Sequence, residues 1–152
     1  MEEAAGQLAL MVSDLQGARR SVREVGFKAT LAYDDADLLE IARGDHVLWV
    51  QRMHEMMLGR EQVRPDEVTD HSLCRLGKWY TGPGREVCGH LPAFRKLEEP
   101  HRQLHHLARK AAEAWKAGRK ADAHDAVKGV VACSQQVLAL MGELTASVGR
   151  SK

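Results

Sequence analysis

Apolar residues recur at alternating spacings of three and four along most of the chain, while β-branched runs and period-two alternation are nearly absent. That spacing gathers apolar side chains on one helix face, so the pattern predicts helix almost everywhere. Four long segments carry it. From Leu8, the residues Met11, Leu15, Ala18, Val22, Val25 and Ala29 form a heptad-like seam suited to pairing with another helix. A second stripe runs Leu39, Ala42, His46, Trp49, Met53, Met56, with Asp34 or Asp35 as N-cap and Gly59 as terminator. A third runs Phe94, Leu97, His101, Leu104, Ala108, Ala111, Trp115. Pro92 suits its first turn, Pro100 predicts a kink or restart, and Gly118 closes it. The last carries Ala123, Val127, Val130, Ser134, Val137, Met141, Leu144 and Val148.

Between these segments, Arg60 to Thr69 with Pro65 reads as a loop. A short helix follows, capped by Thr69 or Asp70, covering His71 to Tyr80 and broken by Thr81-Gly82-Pro83-Gly84. The expected architecture is all-α: an antiparallel four-helix bundle with an additional short helix. Residues 1–30 form a coiled-coil-like lead-in and residues 31–152 the bundle.

Charge narrows the function classes. The formal net charge is +1, with acidic and basic residues interspersed. No basic block marks a nucleic-acid face. The apolar run Leu8 to Val12 is far too short to span a membrane. Glu2 and Glu3 stand where a secretory signal needs positive charge, so the chain reads as cytosolic. Three cysteines, an odd and widely spaced set, make a disulfide framework a poor reading there.

Eight histidines are a high count for a chain of this length. His46 lies on an apolar stripe, where a lone histidine is more often a hydrogen-bonded core residue. His101 and His105, four apart, share a helix face at about 5–6 Å between Cβ atoms. That is metal-ligand spacing, though chance produces such pairs in His-rich surface helices. Cys74 changes the balance, because one thiolate and three imidazoles from three helices make a four-ligand set of the kind zinc favours. His71, three residues before Cys74, is within reach of the same ion and is the alternative ligand in place of His46. His54, His90, His106 and His124 fit no matching spacing and read as solvated. Cys88 falls in a Gly-rich loop and Cys133 on the last helix; both read as non-ligands, Cys133 as packed.

The run Asp45-His46 with Trp49, then Cys74-Arg75-Leu76-Gly77-Lys78-Trp79-Tyr80, then His101 and His105, resembles the chemoreceptor zinc-binding domain family of bacterial signalling proteins. The resemblance extends from about Asp35 to Val148. It implies a helical bundle, typically dimeric, holding one zinc per subunit through His46, Cys74, His101 and His105. It implies regulation rather than catalysis, because such domains are attached to chemotaxis receptors or diguanylate cyclases and control their output. No output segment occurs in this sequence, so the expectation is a free-standing member or a piece of a larger protein. The signal would be zinc occupancy or oxidation of Cys74 as a redox switch, with oxidants such as hypochlorous acid among those sensed by relatives.

Two other classes compete. A di-iron protein would use Glu98-x-x-His101 but needs a second such pair and two more glutamates, which are not found. A purely structural dimerisation bundle would leave the histidines incidental. A four-ligand shell has no open position for a substrate water, and no His-Glu-x-x-His run occurs, so hydrolytic zinc chemistry is not expected.

Overall fold

A computed structural model describes residues 33–149. The lead-in seam from Leu8 to Ala29 lies outside them. Helix α1 spans Asp35–Met57, and the Asp34 carboxylate caps it by accepting the Asp37 amide at 2.9 Å. Its buried face is Leu39, Ala42, His46, Met53 and Met56. Trp49 is only half-buried, with the Arg52 guanidinium over its ring at 4.8 Å.

After α1 the chain crosses a loop containing a short 3-10 turn, Pro65–Glu67. Arg52 holds this loop through Glu61 and Glu67, and Arg109 donates to the Val68 carbonyl at 2.7 Å. Helix α2, Arg75–Thr81, and helix α3, Pro83–Cys88, follow with Gly82 between them. The expected short helix is therefore corrected at its start. Thr69 to Ser72 lie outside any helix, and the cap is Cys74 itself, whose sulfur accepts the Gly77 amide. The break at Gly82 is real, but Pro83 begins a new helix instead of a loop. Its fixed φ and missing N–H cost nothing in a first turn. Cys88 consequently sits buried at the end of α3, not in a loop.

Helix α4, Pro92–Lys116, runs continuously through Pro100, so no restart occurs. An interior proline costs roughly 3 kcal/mol. Burial of a large apolar side chain contributes about 1.5–3 kcal/mol, and Phe94, Leu97 and Leu104 are all buried on the same stripe. Packing outweighs the break. Gly118, at φ +75°, reverses the chain in a conformation that L side chains rarely adopt. Helix α5, Lys120–Gly149, then returns against α4 as an antiparallel hairpin, burying Ala123, Val127, Val130, Ser134, Val137, Met141 and Leu144. It also packs on α1. The fold is an all-α helical bundle, and no described helix is long and apolar enough to cross a membrane.

Candidate metal centre

Three elements converge on one point. His46 comes from the middle of α1, Cys74 from the N-cap of α2, and His101 and His105 from one face of α4. One nitrogen from each imidazole and the Cys74 sulfur all lie within 4.8 Å of one another. Cys74 Sγ is 3.3 Å from His101 Nε2. The three rings meet edge to face, with centroids 4.9 to 6.0 Å apart. His46 and His101 are almost wholly buried, at 3% and 2% exposure.

Backbone carbonyls fix the orientation of two rings. His46 donates Nδ1–H to the Ala42 carbonyl at 2.7 Å, one turn back along α1. His105 donates Nδ1–H to the Thr69 carbonyl at 2.9 Å, on the segment leading to Cys74. Each bond settles the tautomer and leaves Nε2 with a bare lone pair, the arrangement usual behind a metal-binding histidine.

The segment bearing Cys74 is held at several points. Gly77 permits the closest approach, because a Cβ there would sit 1.9 Å from the His71 carbonyl oxygen. That carbonyl accepts the Cys74 thiol at 3.3 Å. Arg75 Nε donates to Asp45 at 2.8 Å, and Trp79 Nε1 donates to Asp35 at 2.8 Å. Both bonds tie α2 to α1. Trp79 also packs edge-on against Phe94, and Tyr80 stacks on the same ring at 4.1 Å. Of these supports, Asp45 and the run Cys74 to Tyr80, with its Gly77 and Trp79, carried a signal in the sequence. Their partnership needs the fold.

Burial sets the protonation of the metal-free site. Desolvation, reinforced by the neighbouring imidazoles of His46 and His105, drives His101 down to about 2. Desolvation also lowers His46 and takes His105 down to about 4. The Cys74 thiol is pushed up by burial to about 11, against the opposing hydrogen bonds from Gly77 and Leu76. A proton is therefore a poor guest here. Several buried lone pairs point at one spot, and a multiply charged cation satisfies them together.

The donor set discriminates among cations. Zinc bonds of about 2.0–2.3 Å place tetrahedral donors roughly 3.3–3.8 Å apart, and the observed spread of up to 4.8 Å encloses that range. Soft sulfur with imidazole suits zinc. Among the described residues this cluster contains no carboxylate, and Glu98 is exposed, beside the Tyr80 hydroxyl. The di-iron reading loses its only anchor. His54, His90, His106 and His124 are all exposed and Cys133 is half-buried.

Such a cluster of three buried histidines and one part-buried cysteine in a helical bundle is a group that could hold a metal ion. Residues 46–112, which take in the whole cluster, match the family model of the chemoreceptor zinc-binding domain. The family binds zinc and is regulatory, not enzymatic. No curated protein and no solved structure matches the chain.

Proposed function

We propose that His46, Cys74, His101 and His105 hold one zinc ion in a closed shell, and that the state of this site regulates a signalling output. The convergence of four mutually close donors from three elements, inside a match to a signalling zinc domain, carries this reading. When bound, zinc supplies a charge that holds sulfur as thiolate and cross-connects the helices.

Two signals suit such a site. Loss of zinc would leave buried donors unpaired and loosen the α2 segment. Oxidation of Cys74 would act in the same place. A peroxide transferring one oxygen atom to the thiolate gives a sulfenate and water, and a sulfenate is a poor ligand. Cys74 stands at the N-cap of a short helix, after a turn, while His101 and His105 sit on a long helix, so release of sulfur frees the more movable partner. The output would be a chemoreceptor or diguanylate cyclase, in the same chain or a separate one, and the regulator a cytoplasmic homodimer. Zinc analysis with absorption-edge spectroscopy of the purified chain tests the core claim. One zinc per chain with sulfur and nitrogen neighbours supports it, and an oxygen-dominated or six-fold shell overturns it.

A further inference from the structure

The sequence puts a fourth imidazole, that of His71, on the turn that delivers Cys74. The structure places its ring 5.7 Å from the His101 ring, edge to face. This separation lies inside the 4.9 to 6.0 Å spanned by the three clustered rings. Its nitrogens nevertheless fall outside the mutually close set. His71 flanks the site without completing it.

His71 has a carboxylate on its Nδ1 side. Its Nδ1 lies 3.3 Å from the Asp70 carboxylate, a close contact where His46 and His105 have hydrogen bonds to carbonyl oxygens. An acceptor behind Nδ1 leaves Nε2 as the free donor atom. Asp70 is itself fixed, because its Oδ1 accepts both the Ser72 amide at 2.9 Å and the Ser72 hydroxyl at 2.6 Å. The His71 side chain stays one-quarter exposed, so it has room to rotate. The Cys74 thiol touches the His71 carbonyl, and both groups of this turn approach His101, the His71 ring at 5.7 Å between centroids and the Cys74 sulfur at 3.3 Å from Nε2.

We propose that His71 is a reserve ligand. Given the zinc site argued above, its Nε2 takes the coordination position that Cys74 gives up, converting a sulfur-and-three-nitrogen shell into a four-nitrogen one. Loss of the sulfur then changes the shell and pulls the Asp70–Cys74 turn inward without emptying the site. The exchange is pure coordination chemistry: one zinc–sulfur bond is replaced by one zinc–nitrogen bond, and no electrons move.

The test is a double-substitution cycle with zinc as the probe. Affinities are measured by chelator competition for the native chain, His71→Ala, Cys74→Ala and the pair. Histidine-labelled NMR reports which Nε2 atoms bind zinc. The expected results are a His71 nitrogen that becomes metal-bound only in the Cys74→Ala chain, and a His71→Ala penalty about 10–100-fold larger in that background than in the native one. Equal penalties in both backgrounds, with His71 unbound in Cys74→Ala, overturn the proposal and leave the four-residue site standing. A native chain that takes up no zinc overturns the underlying site instead. If the double variant fails to fold, judged by its helicity, the NMR of Cys74→Ala alone decides.

Discussion

Asp45 and Arg75, the chain neighbours of His46 and Cys74, pair across the α1–α2 contact at 2.8 Å. The bridge lies one residue from a site residue on each side. Arg75 keeps only 11% of its side chain exposed, while Asp45 keeps 40%. Geometry matters more here than Coulomb energy, because partly exposed pairs contribute little to stability. Asp45→Asn is expected to leave the fold intact and to weaken zinc binding about 10-fold, as changes behind ligands commonly do. Chelator competition measures it, and an unchanged affinity would show that the bridge does not position Cys74.

Zinc uptake is expected to release about one proton per chain near neutral pH. In the metal-free chain burial keeps His46, His101 and His105 neutral and holds the Cys74 thiol protonated, at about 11. Only sulfur has a proton to lose when it binds metal. Between about 4, where His105 titrates, and about 11, apparent affinity should rise roughly tenfold per pH unit. Calorimetry in buffers of different ionisation enthalpy counts the protons. Cys74→Ala should bring the count near zero, and a native count near four would mean that all three imidazoles are charged as well.

Gly77→Ala is expected to be costly although Ala is the better helix former. The added Cβ would meet the His71 carbonyl at 1.9 Å and the Ser72 backbone at 2.7 Å, neither of which is a flexible side-chain end. Overpacking of this kind costs about 1–3 kcal/mol. Thermal unfolding in the presence of chelator separates that stability loss from any loss of metal.

His101→Ala and His105→Ala should remove most zinc binding, whereas Cys74→Ala should reduce it only in part. The paired histidines stand on one long helix, and the sulfur stands on a turn. Amide exchange should report the same asymmetry. On chelation or mild oxidation residues 70–84 should exchange faster while α4 and α5 stay protected. Identical exchange in all three states would make the site structural and sink the switch.

The seam from Leu8 to Ala29 offers a last check. A continuous apolar stripe of that length suits a partner helix. Deleting residues 1–30 is expected to weaken self-association while zinc content stays nearly intact. Unchanged association at low protein concentration would rule out the seam as an interface.

Much of this was legible in the sequence, for a physical reason. Stripes at helical spacing report burial directly, so the buried faces of α1, α4 and α5 follow from residues such as Leu39, Leu97 and Met141. The His101 and His105 pair follows from the same spacing. Short helices are less legible because their residues have no long stripe: the sequence predicts α2 but misplaces its start, and it misses α3. Pro83 looked like a terminator, yet it starts α3, and Cys74 looked like a residue within a helix, yet it caps one. The carbonyls of Ala42 and Thr69 that orient His46 and His105 carry no side-chain signal at all.

Cys74 precedes His101 by 27 residues, and His46 lies a similar distance before Cys74. An ion joining all three fastens two successive loops of the chain at a single knot. Tying off loops of that length removes freedom mainly from the unfolded chain, by about 3 kcal/mol per closure for a covalent cross-link. The metal here would thus do what a disulfide does in other chains, with one difference. A chelator undoes this knot and an oxidant re-ties it without Cys74, where a disulfide needs a reductant, so the fastening of these two loops answers to the same chemistry that the site would report.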